Sequence, residues 1–118
     1  MNQHEKINYL EFPAKDILAT KAFFESVFDW QFEDFGPDYT AFSNQGLDGG
    51  FFSSTQSSTT DNGSALTVFY SNDLTETQRK IERAGGIIIQ AIFDFPGGRR
   101  FHFTEPSGNE FAVWSDNI

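Results

Sequence analysis

The sequence repeats one plan at a spacing of about 60 residues. Asp34-Phe35-Gly36-Pro37 is matched by Asp94-Phe95-Pro96-Gly97, 60 residues later, and both segments are typical of turns between strands. The predicted helix starts, Asp16 and Asn72, are 56 residues apart. A solenoid needs shorter repeats and at least three copies of them, whereas this repeat is about 60 residues long and occurs only twice. It indicates a duplicated module.

The hydrophobic pattern of each half predicts the order strand, helix, strand, strand, strand. In the first half we expect strands at 7–12, 30–35, 39–43 and 47–53, and a helix over 16–28; in the second half, strands at 65–70, 87–93, 100–104 and 110–114, and a helix over 74–84. Pro13 is expected to end the first strand, because proline donates no ladder hydrogen bond. Residues 54–64, STQSSTTDNGS, read as a mobile linker or an exposed loop. We therefore expect one domain over 1–118, with modules at about 5–53 and 65–115.

The last predicted hairpin has two unlike faces. Phe101, Phe103, Phe111 and Val113 alternate with Arg100, His102, Glu110 and Trp114, which is the period of a β-strand. A face that combines titratable groups with an indole suits the floor of a binding cavity. An ordinary hairpin with one solvated side remains the alternative.

Composition excludes several classes of function. The chain has no Cys, so it can form neither a disulfide nor a thiolate metal site, and it has no Cys nucleophile. Eight Lys and Arg stand against 17 Asp and Glu, a net charge of −9. This charge repels phosphate backbones and anionic membrane surfaces, so we expect no nucleic-acid or membrane partner. Without a long apolar run, the chain is expected to be soluble and cytoplasmic.

The duplicated βαβββ plan, together with INYLEFPAKDILATKAFFESVFDW and RFHFTEPSGNEFAVW, resembles the vicinal oxygen chelate superfamily. This is the group of glyoxalase I, bleomycin-resistance and extradiol-dioxygenase proteins. The resemblance covers the whole chain except the Ser/Thr-rich segment. It implies an α+β, glyoxalase-like fold in which two βαβββ modules form an incomplete barrel around a cavity. It also implies a homodimer.

The resemblance further implies a divalent metal bound by His or Glu side chains from the first and last strands of each module. In this sequence those positions are Tyr9, Gly50, Leu66 and Ala112. Leu, Gly and Ala have no side-chain donor atom, and a phenol is a poor ligand near neutral pH. We therefore expect no metal at these positions and no other cofactor. A divalent metal bound by Glu11, His102 and Glu110 remains an alternative.

Three functional hypotheses follow. The first is a metal-independent protein that binds a small molecule, with Tyr9, Tyr70, Arg100 and Trp114 as ligand-binding residues. The acidic composition favours neutral or cationic ligands, although Arg100 could supply one local anion contact. The second is a glyoxalase-like lyase or isomerase, or a dioxygenase-related enzyme, with Glu11, His102 and Glu110 as catalytic residues. The third is a regulatory or accessory dimer.

Overall fold

The computed structural model describes residues 2–117, which form eight strands, two α-helices and one short 3-10 helix. The strands are Tyr9–Ala14 (β1), Phe32–Asp34 (β2), Tyr39–Gln45 (β3), Leu47–Ser53 (β4), Thr67–Tyr70 (β5), Ile87–Phe95 (β6), Gly98–Thr104 (β7) and Glu110–Ser115 (β8). The helices are Ile17–Phe28 (α1) and Leu74–Arg83 (α2), and the 3-10 helix is Thr60–Asn62. Each half of the chain thus has the predicted order of elements.

Each module forms one four-stranded mixed sheet. The strand order is β1-β4-β3-β2 in the first sheet and β5-β8-β7-β6 in the second. In both sheets the first strand of the module pairs in parallel with its last strand, and the other pairs are antiparallel. Over residues 9–115 the two sheets stay separate and do not close into one barrel. The predicted α+β fold of two βαβββ modules is therefore confirmed.

Most strand boundaries shift by one or two residues from the sequence prediction, and two of the shifts, in β1 and β2, have a clear physical reason. β1 continues through Pro13 to Ala14 instead of ending before the proline. This is allowed because β1 lies at the edge of its sheet and pairs only with β4, and an edge strand tolerates a missing donor. Trp30 lies outside β2, and its buried ring stacks on Phe24 at a centroid distance of 4.5 Å. Its ring also lies 4.4 Å from Phe42 of β3, so Trp30 is buried between α1 and the sheet without belonging to a strand.

Both helices begin at an aspartate cap: Asp16, as the sequence predicts, and Asp73, one residue after Asn72. The Asp16 carboxylate accepts a hydrogen bond from Ala19 N, and Asp73 accepts one from Glu76 N, which satisfies backbone donors that the first helical turn leaves free. α2 is followed by Gly85 at a φ of 96°, the left-handed conformation that glycine adopts easily after a helix. Within residues 2–117 neither helix combines the length and apolar character needed to cross a membrane.

One aromatic core joins the two modules. Phe24 of α1 lies 5.6 Å from Phe51 of the first sheet and 5.5 Å from Phe111 of the second sheet, measured between ring centroids. Phe12 of β1 also contacts Phe111, at 5.2 Å. All four rings are buried, so the same apolar surface stabilises both sheets. The modules are therefore packed as one unit.

The turn between β7 and β8 is held by a buried carboxylate. Glu105 accepts hydrogen bonds from the Thr20 hydroxyl (2.6 Å) and from the backbone N–H groups of Ser107 and Asn109 (both 3.1 Å). The Asn109 amide in turn donates to the carbonyl of Pro13 at 2.6 Å. Burial raises the pKa of Glu105, and these hydrogen bonds oppose that rise. The turn therefore fastens the second sheet to α1 and to the end of β1.

The predicted linker is attached to this turn. The Ser57 hydroxyl donates to the Ser107 carbonyl, and Ser58 N donates to the Asn109 side chain, both at 2.8 Å. Ser57 and Ser58 are half-buried, whereas a free spacer would leave both exposed. The segment 54–64 is therefore a docked loop, and its outer residues are exposed as predicted.

We expect Thr20→Val to destabilise the fold by about 1–3 kcal/mol, because it leaves the buried Glu105 carboxylate one donor short while preserving side-chain shape. Thr75→Val is the matched control, since Thr75 is an exposed threonine in the first turn of α2 and should change stability by less than about 0.5 kcal/mol. Denaturant unfolding followed by circular dichroism measures both. Equal free energies of unfolding for Thr20→Val and the parent would contradict the role of this hydrogen bond.

Candidate functional site

Five of the predicted site residues lie on one face of the second sheet. In the β7–β8 register Arg100 is opposite Trp114, His102 is opposite Ala112, and Thr104 is opposite Glu110; in the β5–β8 register Tyr70 is opposite Trp114. We call this surface, formed by Tyr70, Arg100, His102, Glu110 and Trp114, the outer face. The other face of the same strands presents Phe101, Phe103, Phe111 and Val113 to the core.

His102 and Glu110 form a buried pair at the centre of the outer face. His102 Nδ1 lies 2.8 Å from Glu110 Oε2, and the two side chains are only 7% and 6% exposed. Glu110 Oε1 also accepts hydrogen bonds from the Thr60 backbone N–H (2.8 Å) and hydroxyl (2.9 Å). Burial favours the neutral acid, but the hydrogen bonds from His102 and Thr60 outweigh it, so the pKa of Glu110 is lowered. Glu110 is therefore ionised near neutral pH.

This pairing determines what the imidazole can do. A carboxylate only accepts hydrogen bonds, so Nδ1 of His102 must be the donor. Nε2 is then free to accept a hydrogen bond in the neutral ring or to donate one in the imidazolium form. Nε2 is buried and has no hydrogen-bond partner among the described residues. A buried nitrogen of this kind is costly unless a bound molecule satisfies it.

Aromatic rings surround Arg100 on the same face. The Arg100 guanidinium carbon lies 5.3 Å from the centroid of Phe93 and 5.8 Å from that of Phe95, distances typical of cation–π contacts. Phe95 is 6.2 Å from Trp114, which makes an edge contact with Tyr70 at 5.1 Å. The Tyr70 hydroxyl donates to Asp116 at 2.6 Å, and this hydrogen bond raises the pKa of Tyr70. Together these aromatic rings form a flat apolar surface beside the positive charge of Arg100.

Two other predicted site residues, Tyr9 and Glu11, lie on the first sheet in a separate cluster. The Tyr39 hydroxyl donates to Glu11 Oε2 at 2.9 Å and lies 2.6 Å from the Tyr9 hydroxyl. Burial, followed by the bonds to Tyr9 and Glu11, raises the pKa of Tyr39. The hydrogen bond of Glu11 is thus made within its own sheet, whereas His102 and Glu110 bond to each other. The three predicted catalytic residues are therefore divided between the sheets, with Glu11 on the first and His102 and Glu110 on the second.

The structure also adds two residues that sequence reasoning missed. Tyr39 reaches Glu11 across Gly50, and a Cβ at Gly50 would collide with the Tyr39 hydroxyl and ring. The only sequence signal was the glycine itself, since β1 and β3 share β4 as a neighbour. Thr60, which holds Glu110, lies in the low-complexity loop and carried no signal of its own.

The positions at which the resemblance implies metal ligands do not fit a divalent ion. Gly50 and Ala112 are buried without donor atoms, and the Tyr39 hydroxyl occupies the space beside Gly50. Within residues 2–117, no three or more His, Asp or Glu side chains are grouped so that they could hold a metal. The alternative ligand set of Glu11, His102 and Glu110 therefore does not form such a group either. A metal site needs three or four convergent donors.

We expect the free energy of unfolding to decrease less with falling pH in Glu110→Gln than in the parent. Because the folded pKa of Glu110 is lowered, its contribution is present above the unfolded pKa of about 4.3 and is lost as pH falls through the folded value. At pH 7 the substitution should cost about 1–3 kcal/mol, because the charged hydrogen bonds are lost. Unfolding free energies measured between pH 3 and 7 test this, with exposed Glu25→Gln as the control. The prediction is wrong if the free energy of unfolding falls equally with decreasing pH in the parent and in Glu110→Gln.

A family model agrees with this architecture. The model described as "Glyoxalase/Bleomycin resistance protein/Dioxygenase superfamily" matches residues 6–113. The match spans both modules and the loop between them. No functionally curated protein matches the sequence.

Solved structures share the fold at low sequence identity. A glyoxalase/bleomycin resistance protein/dioxygenase family enzyme from Burkholderia phytofirmans PsJN is 17% identical with a TM-score of 0.76, and the match covers 92% of this chain and 96% of that one. The fosfomycin resistance protein FosX from Listeria monocytogenes is 18% identical with a TM-score of 0.78, covering 96% and 94%. Lactoylglutathione lyase from Agrobacterium tumefaciens is 18% identical with a TM-score of 0.70, covering 97% and 96%. The match to the family model and the shared fold agree: the chain belongs to the glyoxalase/bleomycin resistance protein/dioxygenase superfamily.

Proposed function

We propose that this protein is a cytoplasmic small-molecule-binding protein of the glyoxalase/bleomycin-resistance type, and that it binds its ligand on the outer face without a metal. The observation that carries the proposal is the buried His102–Glu110 pair, whose free Nε2 lies on the same face as Arg100 and Trp114. Apolar walls with a few placed polar groups are typical of ligand sites.

Each part of the outer face has a separate role in this proposal. Trp114 and Tyr70 provide flat apolar contact area for the ligand. His102 supplies one directional hydrogen bond, and Glu110 orients the imidazole ring through the hydrogen bond to Nδ1. Thr60 keeps Glu110 in place through two hydrogen bonds, so the loop serves the site as a support. Tyr9, in its cluster on the first sheet, is a further contact if a second surface closes over the ligand.

The donor chemistry of this chain supports the proposal of metal-independent binding. The superfamily positions at Gly50 and Ala112 have no ligating atoms, and Tyr39 is already hydrogen-bonded beside Gly50. Binding energy must then come from burial of aromatic surface and from hydrogen bonds. On this proposal the protein's affinity is insensitive to chelators.

The His102–Glu110 geometry also favours a second candidate, a lyase or isomerase that moves a proton. A carboxylate that orients an imidazole through Nδ1 leaves Nε2 placed to accept or donate a proton, as in general acid–base catalysis. Glu11 lies in the cluster with Tyr39, so this candidate retains only His102 and Glu110 as catalytic residues.

The proposal includes a homodimer in which a second copy covers the outer face. Val68 and Tyr70 of β5 are 43% and 53% exposed, and Ile87 on the edge strand β6 is 64% exposed. Exposed apolar side chains beside an unpaired strand edge are usually covered by a partner. Two-fold pairing is the commonest closed arrangement, and it would enclose the ligand.

We expect Trp114→Ala to weaken binding of at least one ligand by about 30-fold, since a central indole contributes about 2 kcal/mol or more. A panel of planar aromatic and amphipathic compounds, including cations, is titrated by calorimetry into chelator-treated protein. Phe35→Ala, which removes an exposed ring away from the outer face, is the control and should leave affinity unchanged.

Two results would contradict the binding proposal. One is that Trp114→Ala binds every ligand found with the same affinity as the parent protein. The other is turnover of a hemithioacetal or a catechol that disappears in His102→Ala or Glu110→Gln. That second result would favour the enzyme, because loss of a general acid or base slows turnover by about 10²–10⁴-fold.

For the dimer we expect light scattering at micromolar concentration to give the mass of two chains. Val68→Lys places a charge on the outer face and should shift the mass toward one chain. Leu18→Lys, at a position on α1 that is 76% exposed, should leave the dimer intact. A parent mass near 13.3 kDa would contradict the proposal.

A further inference from the structure

We propose that Arg100 forms an anion subsite on the outer face and that the ligand is an aromatic carboxylate. This inference rests on the proposed function and adds a ligand class to it. It runs against the expectation of neutral or cationic ligands drawn from the net charge of −9. Local geometry around Arg100 is the reason.

The first argument is the orientation of the guanidinium. Arg100 is half-buried, and its guanidinium lies over the rings of Phe93 and Phe95. A cation–π contact uses none of the guanidinium N–H groups, which therefore stay available to an acceptor. Nε is buried and has no hydrogen-bond partner among the described residues. A planar carboxylate matches such a fork with two parallel hydrogen bonds.

The second argument is the lack of an internal partner in a chain with 17 acidic residues. Within residues 2–117 no carboxylate forms an ion pair with Arg100, whereas Lys21, Arg79 and Arg83 each have one. The charge of Arg100, like that of Arg99 on the opposite face, is thus not neutralised by a carboxylate among these residues. Its position on the face that carries the binding site makes an anionic ligand the natural partner.

The acidic groups nearest to the subsite are already engaged. Glu110 accepts hydrogen bonds from His102 and Thr60, and Asp116 accepts one from Tyr70. Asp94 is opposite Arg99 in the β6–β7 register, on the other face of the sheet. More distant surface charges are screened, because the Debye length is about 8 Å at physiological ionic strength. The net charge therefore does not decide what binds at Arg100.

The third argument is the spacing of polar and apolar groups. Arg100 lies directly across from Trp114 in the β-ladder, and cross-strand side chains are about 5 Å apart at Cβ. A carboxylate attached directly to an aromatic ring can therefore reach the arginine while the ring packs on the indole. His102, two residues along the same strand, lies on the same face.

The test compares 2-naphthoate with its neutral isostere 2-naphthamide by calorimetry. The parent should bind the carboxylate about 10- to 100-fold more tightly than the amide, the worth of a charged hydrogen-bonded pair. Arg100→Gln should abolish this preference. Arg99→Gln is the matched control, because Arg99 is the adjacent half-buried arginine, also with an unpartnered Nε, on the opposite face. It should keep the preference.

The outcomes separate this inference from the proposed function. If both compounds bind equally and Trp114→Ala weakens both, the binding proposal stands and the anion subsite is overturned. If Arg99→Gln and not Arg100→Gln removes the preference, the anion site is on the wrong face and the inference is again overturned. If 2-naphthoate does not bind to the parent, the inference fails. If, in addition, Trp114→Ala affects no ligand of the wider panel, the proposed function fails with it.

Discussion

The rest of the architecture depends on the hydrogen bonds that surround the buried carboxylate of Glu105. A carboxylate taken out of water is costly unless donors surround it, and three donors do so here: the Thr20 hydroxyl and the N–H groups of Ser107 and Asn109. Two of these donors belong to the turn itself and one to α1. The turn can meet its own hydrogen-bond needs only when α1 lies against it, so local turn geometry and module packing are one requirement.

The same turn also determines the position of the groups that form the candidate site. Asn109 receives a hydrogen bond from Ser58, and this contact brings the inter-module loop onto the start of β8. Two residues further along the loop, Thr60 donates twice to Glu110. Glu110 in turn orients His102. A low-complexity segment thus becomes part of the site's support, because its backbone donors satisfy a buried acid. The orientation of the imidazole depends on contacts that begin at Asn109.

Local periodicity predicted the fold well, since alternation along β7 and β8 depends only on which side chains face the core. Arg100, His102, Glu110 and Trp114 were therefore assigned to one surface from the sequence. What could not be predicted depends on non-local geometry. Pro13 is tolerated because β1 is an edge strand, and the Tyr39–Glu11 contact spans three strands across a glycine. No pattern within a single segment carries such information.

The two modules share one plan but differ in whether their polar groups are satisfied. On the first sheet the Tyr39 hydroxyl fills the space above Gly50 and bonds Glu11 and Tyr9, so these groups are partnered within the chain. On the outer face of the second sheet, His102 Nε2 and Arg100 Nε are buried without partners. Each such group costs about 1–3 kcal/mol, and a fold retains that cost where a bound molecule can repay it. The asymmetry between the sheets is therefore the physical reason for proposing that the ligand binds to the second.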